Sequence, residues 1–333
     1  MLKNHINKIL LKNLEFEPTG DQRVLIEKLA GFIVQQAKFS SFLIKGYAGT
    51  GKTTLVRSII QTLDELKIKS VLMAPTGRAT KVLSSYTGRS AFTVHKKIYR
   101  QFSSKDAFSR FVLDKNFNRN TVFIVDETSM IGTGRGEDSF FGTGNLLEDL
   151  IEFVYTGGNC RLILIGDTAQ LPPTNTILSP ALSIKILESH GLNVQEVYLK
   201  EVLRQSAGSV ILANATLLRL LIDHEKIEMP RLRIDDSRKD VERVNGIELL
   251  ETIQDAYDHV GIEQTIILCR SNKRANKYNE GIRNRILWRE EALSVGDLLM
   301  VVKNNYFWTE EIEDMDFIAN GDIIEIMKID YSL

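Results

Sequence analysis

The chain has 333 residues, 43% of them hydrophobic and 26% charged, a balance that excludes a disordered protein and leaves room for two domains. Its 42 Lys and Arg stand against 43 Asp and Glu, a net charge of -1, so a general basic coat is excluded and any nucleic-acid contact must be a local patch. No uncharged apolar run reaches the ~18 residues of a membrane helix, so no membrane partner is expected.

In chain order, Met1 to Phe16 is amphipathic, and Asn7, Lys12 and Asn13 break its apolar stretch, so it does not read as a secretory signal. Ser41–Lys45 is a short apolar run ending in a Gly-rich turn. Leu55, Val56, Ile59, Ile60, Leu63 and Leu66 then fall on one helical face. Ser70–Ala74 has a buried-strand pattern, followed by a helix over about Arg78–Tyr86. Thr121–Val125 and Arg161–Ile165 are two more apolar strands, with a helix at Asn145–Tyr155 between them. Strands apolar on both faces, alternating with helices, predict an α/β fold with a parallel sheet covered on both sides. The five glycines between 131 and 145 read as a surface loop, since no Lys-Ser/Thr pair follows them.

Beyond residue 208 the pattern predicts helices at Ser209–Ile222, Ile247–His259 and 272–287, and strands at Thr265–Cys269, Asp297–Val302 and Asp322–Lys328. Cys160 and Cys269 cannot make a disulfide framework or a zinc cluster and read as buried thiols in a reducing cytoplasm. The 5 histidines lack metal-ligand spacing.

Gly46-Tyr-Ala-Gly-Thr-Gly51-Lys52-Thr53 matches G-x-x-x-x-G-K-[ST] in full, between a strand and a helix. Glycines let successive backbone N–H groups face phosphates, and the helix N-terminus adds a positive dipole. Lys52 would reach the β- and γ-phosphates, and the Thr53 hydroxyl would bind Mg²⁺. Val122–Val125 ends in Asp126 and Glu127, the first placed to hold Mg²⁺, the second to activate the attacking water. A third strand ends at Gly166-Asp167-Thr-Ala-Gln170-Leu-Pro-Pro173, where Gln170 is a candidate γ-phosphate sensor; the plain alternative is a polar turn closed by two prolines.

This set resembles superfamily 1 DNA helicases of the RecD-like and Dda-like branch. The resembling segments run in order: Thr19–Gln22, the 46–53 loop, Ala74–Ala79, Thr93-Val-His95, Asp126–Met130, Gly166–Pro173 and Leu199–Gln205. The resemblance implies two RecA-like domains, the first about 1–200 with a small insertion near 100–120, the second, over 201–333, partial. It implies ATP and Mg²⁺ as cofactors and single-stranded DNA as partner. Gln22 would read the adenine edge, joined at the nucleotide by Gly46, Ala48, Gly49, Thr50, Gly51, Lys52, Thr53 and Thr54. Pro75, Thr76, Arg78 and His95 would lie along DNA, and Arg204 would face the γ-phosphate as an arginine finger. Two further family motifs are not found after Asn320-Gly321-Asp322, so a partner chain or further segment is expected to complete the second domain.

Independently of the resemblance, seven basic residues and one acid lie between Arg270 and Arg289. Arg270, Lys273 and Lys277 make a candidate DNA patch, with a solvated helix face as the plain alternative. The expected function is the core of an ATP-dependent DNA helicase or translocase in repair or recombination. The alternatives are a P-loop ATPase or kinase with another substrate, and a non-motor DNA-binding remnant or subunit of a recombination nuclease complex.

Overall fold

A computed structural model describes residues 1–35, 37–102, 110–133, 141–173, 176–201, 209–223, 229–235, 237–238, 240–302, 318 and 321–330. The chain forms two compact units, Met1–Gln205 with Val301–Asp322, and Ser206–Met300 with Ile323–Leu333.

The first unit runs α1 (Leu2–Lys12), α2 (Gly20–Val34), β1 (Ser40–Gly46), α3 (Lys52–Glu65), β2 (Lys69–Ala74), α4 (Gly77–Thr87), β3 (Ala91–Thr93) and α5 (Val94–Ile98). It continues with β4 (Tyr99–Phe102), β5 (Arg110–Leu113), β6 (Thr121–Val125), α6 (Leu146–Thr156), β7 (Arg161–Gly166), α7 (Ile184–Ser189) and β8 (Asn193–Leu199). Six strands form one sheet in the order β3-β2-β6-β7-β1-β8, all paired parallel. Successive residues of a strand point to opposite faces. Accordingly Phe42 and Ile44 join the core under α1–α4, while Leu43 between them joins the core under α5–α7. The expected α/β sandwich is therefore present, with both sheet faces dry.

Local signals explain several ends. Thr19 and Gln22 form a reciprocal capping box at the start of α2. Thr76 caps α4 through the Ala79 N–H, and Thr93 caps α5 through the Lys96 N–H. Gly166 ends β7 where a Cβ would stand 2.8 Å from both Leu182 and the Thr128 hydroxyl, so only glycine lets these segments approach. The insertion near 100–120 holds the antiparallel ladder β4–β5, whose residues 103–109 lie outside the described ones. Tyr99 is buried and donates its hydroxyl to buried Asp149 at 2.6 Å, so it is a core group.

The second unit holds α8 (Val210–Asp223), α9 (Leu249–Val260), α10 (Asn272–Arg285) and a short antiparallel ladder of β9 (Leu298–Met300) with β10 (Ile323–Glu325). Thr265–Cys269, expected as a strand, is not one. Ile266 and Leu268 are 80% and 87% exposed, and no ladder partner runs beside them among the described residues. The other expected thiol burial also fails: Cys160 is buried but Cys269, in that same run, is only half-buried. Among the described residues no helix is long and apolar enough to cross a membrane.

Candidate nucleotide site

The loop between β1 and α3 is shaped by Gly49 and Gly51, at φ +82° and +81°, a region that L side chains rarely enter. Thr50 is buried and its hydroxyl donates to Tyr47 O at 2.8 Å, closing the loop on itself. Ala48 and Thr53 are exposed at its mouth and Thr54 is half-buried behind them. Lys52 Nζ donates to Gly46 O at 2.6 Å and Tyr47 O at 2.9 Å and stands 3.7 Å from the Asp167 carboxylate. Burial pushes the Lys52 ammonium below its ordinary value, and Asp167, Glu127 and Asp126 oppose that shift. A half-buried cation held by two loop carbonyls at the start of α3 fits a polyanionic phosphate chain.

Gln22 sits behind the loop, 1% exposed. Its Oε1 accepts from Thr19 N at 3.0 Å and its Nε2 donates to Thr50 O at 3.0 Å. Both ends of the amide are thus engaged within the protein, tying α2 to the phosphate loop.

Strand β6 delivers Asp126 and Glu127 to the same sheet edge, with β7 between it and β1. Asp126 Oδ1 accepts the Glu127 N–H at 2.9 Å and Oδ2 accepts the Tyr86 hydroxyl at 2.8 Å. Burial pushes the Asp126 carboxyl above its usual range, opposed by Tyr86, the Glu127 N–H and Lys52. Glu127 is likewise raised, by burial and then by Asp126. Its backbone lies at φ +54°, ψ +37°, a left-handed conformation that costs a non-glycine residue about 1 kcal/mol or more and clusters at functional sites.

Asp167, just past β7, is 3% exposed, and its Oδ1 accepts the Ala169 N–H at 2.8 Å. In the turn that follows, Gln170 Oε1 accepts the Ser129 hydroxyl at 2.9 Å, and the Gln170 side chain also hydrogen-bonds Glu127. Glu127, Gln170 and Ser129 are thus linked in one polar chain. Sequence reasoning placed Asp167 and Ser129 in resembling segments but gave neither a role of its own, and it placed Tyr86 in none. Asp167 was findable, since it follows an apolar strand as Asp126 does; Tyr86, 40 residues from its partner, carries no local signal.

Pro75 and Thr76 are half-buried at the bend between β2 and α4, and Arg78 is exposed on the first turn of α4. His95 on α5 is half-buried and packs beside Tyr99 and Phe141, with ring centroids 5.7 and 5.1 Å away. Arg204 lies outside the described residues. On the second unit, Arg270, Lys273 and Lys277 are all exposed and line one surface recess with Ser271 and Arg274. Arg283 and Arg289 do not belong to that patch, because both are paired with Asp297 at 2.8 and 2.7 Å.

Fold and site together define a P-loop nucleotide-binding protein of the α/β class. Residues 32–176 match a family described as an AAA domain. The chain is 29% identical to the ATP-dependent RecD2 DNA helicase of Deinococcus radiodurans over 60% of its own length and 24% of that protein. It is 25% identical to the ATP-dependent DNA helicase dda of Enterobacteria phage T4, over 87% of its own length and 63% of that protein. With the ATP-dependent DNA helicase PIF1 of Candida albicans it shares 31% identity over 40% of this chain and 14% of the relative. The chain is thus similar to ATP-dependent DNA helicases of RecD, Dda and Pif1 type, and it spans less than two thirds of the length of each of these relatives.

Proposed function

We propose that this chain is the core of an ATP-dependent DNA helicase or translocase, coupling ATP hydrolysis to movement along single-stranded DNA. The observation that carries this reading is a convergence at one sheet edge. There Lys52 stands 3.7 Å from Asp167, Asp126 accepts the Glu127 N–H at 2.9 Å and the Gln170 side chain hydrogen-bonds Glu127, beside the 75–78 bend that follows the neighbouring strand β2. Such a set has a cation for phosphate, a strained acid for water and an amide in contact with that acid.

Thr53 and Asp126 would hold a Mg²⁺ ion, which neutralises charge on the phosphates when bound. Glu127 Oε, raised above the usual carboxylate range, accepts a proton from water more readily than an ordinary glutamate. Gln170 orients that carboxylate through their hydrogen bond. Arg204 would supply a second positive charge from the segment that follows β8. Pro75, Thr76, Arg78 and His95, with Arg270, Lys273 and Lys277, would contact the DNA backbone. A place in the cytoplasm and in DNA repair or recombination goes with this reading; both cysteines are free thiols, as a reducing compartment requires.

The test is ATP hydrolysis by the full chain with and without a single-stranded oligonucleotide. Stimulation by DNA supports the reading. Equal rates would point to a P-loop ATPase with another substrate, and nucleotide binding without turnover to a non-motor DNA-binding protein.

A further inference from the structure

Tyr86 falls in none of the sequence motifs, yet its hydroxyl reaches Asp126 Oδ2 at 2.8 Å. The ring is half-buried and packs against the core beneath α1–α4. A phenol hydroxyl donates to a carboxylate at neutral pH, and here the Asp126 oxygen accepts from it. Asp126 is held at three atoms: Oδ2 by Tyr86, Oδ1 by the Glu127 N–H, and its own N–H by Met73 O at 2.9 Å. Two of these three holds come from one segment, Met73 to Tyr86. That segment contains the 75–78 bend.

The segment is stiff. Thr76 caps α4 through Ala79 N at 3.2 Å, and the Thr80 hydroxyl donates back to Thr76 O at 2.8 Å. From Gly77 to Thr87 the helix is unbroken, so a shift at its first turn carries to Tyr86 near its last. A rigid element biased at both ends is what physical coupling between two sites requires.

We propose that Tyr86 is a positioning residue that orients the Asp126 carboxylate and links it to the 75–78 bend, so that single-stranded DNA on that bend tightens binding of Mg²⁺-nucleotide. This rests on reading the site as a DNA-coupled ATPase. Each Asp126 oxygen accepts one of these hydrogen bonds and has further lone-pair capacity; the Tyr86 hydroxyl fixes the plane of the carboxylate. Loss of such an outer partner of a metal-binding carboxylate typically costs about 10–100-fold in metal affinity. Because coupling between binding sites is reciprocal, the same loss should weaken DNA's response to nucleotide.

The experiment measures equilibrium binding, not turnover, with the full chain and a fluorescent non-hydrolysable ATP analogue titrated with Mg²⁺, with and without oligo(dT). In Tyr86→Phe the ring stays and only the hydroxyl goes. The Mg²⁺ requirement should rise about 10–100-fold, binding of the analogue in EDTA should stay at the parental level, and the oligo(dT) effect should vanish. Asp126→Asn reads the same contact from its other end, and adding Tyr86→Phe to it should change nothing further. A parental Mg²⁺ requirement and full oligo(dT) response in Tyr86→Phe, or losses that simply add, would overturn the role of Tyr86 alone. A parent chain that binds no analogue, or binds it equally with and without oligo(dT), would instead overturn the DNA-coupled ATPase reading, and this inference with it.

Discussion

Two runs of nearly equal apolarity, Arg161–Ile165 and Thr265–Cys269, end in opposite states. The first is strand β7, where Leu162 to Ile165 are 0% exposed between β6 and β1. The second is irregular chain with Ile266 and Leu268 facing water. Both carry the β-branched and aliphatic residues that suit a pleat. A strand, however, is stabilised by cross-strand neighbours and by layers on its faces, not by its own composition. The first unit supplies both; among the described residues the second supplies neither to 265–269. The proposed function divides along the same line. The desolvated, fixed groups proposed for the chemistry sit at the edge of the first unit's sheet, while the second unit presents charge on exposed helix surface.

The sharpest way to break that contrast is at the fixed groups. Glu127→Gln should leave ATP binding intact and lower turnover by about 10²–10⁴-fold, since only the proton acceptor is lost. Lys52→Ala should lower turnover at least as far and weaken nucleotide binding as well, because the half-buried cation proposed to face the phosphates goes. Burial and Asp126 hold the Glu127 carboxyl high, so the rate should fall on acidification at a pH above the usual carboxylate range. A Glu127→Gln protein turning over at the parental rate would remove Glu127 from the mechanism.

The next largest effect tests the two runs directly. Leu164→Ala deletes a side chain with no exposed surface and should cost about 2–5 kcal/mol in chemical denaturation. Leu268→Ala, at 87% exposure, should stay within about 0.5 kcal/mol. Equal costs would mean that Leu268 is covered in solution.

The same contrast explains what could be read in advance. The parallel α/β architecture was legible because buried parallel strands are apolar on both faces and their helices have a clear period; β1, β2, β6 and β7 appear where expected. Lys52, Asp126 and Glu127 were legible because each immediately follows an apolar strand or its Gly-rich turn. Tyr86 and Ser129 were not, since their roles depend on contacts made across 40 and 41 residues of chain. Residues 265–269 misled because propensity reports what a segment would do beside a partner and carries no information on whether one is there. In the 270–289 run, charge counting alone does not separate Arg283 and Arg289 from Arg270, Lys273 and Lys277. Asp297, 8 or more residues along the chain, takes Arg283 and Arg289 out of the patch.

A smaller effect is expected at the exposed cations. Single-stranded DNA affinity should fall steeply with salt, through release of counterions. Replacing Arg270, Lys273 and Lys277 together by Ala should weaken binding alike for all sequences and flatten the salt slope by about 2, at ~0.7 per phosphate contact. An unchanged slope would return these residues to an ordinary solvated face.

The smallest effect concerns the one buried charge cluster of the second unit among the described residues. Asp297 accepts from Arg283 Nε and Nη2, Arg289 Nη1 and the Ser294 N–H at 2.7–3.2 Å, joining α10 to the turn before β9. The Arg283 guanidinium, helped by Arg289 and the Ser294 N–H, holds the carboxyl down at about 2. A carboxyl that is more acidic folded than unfolded stabilises the fold above its unfolded value and loses that contribution as pH falls through its folded one. The window is therefore about pH 4 down to 2. The two arginines are partly solvated, so the contribution at neutral pH should be only about 1–2 kcal/mol. Asp297→Asn should show that deficit at pH 7 in hydrogen exchange of α10 amides, and the gap to the parent should close by pH 2. A gap of constant size across that range would mean that Asp297 acts through shape alone, and that the second unit draws nothing from this charge.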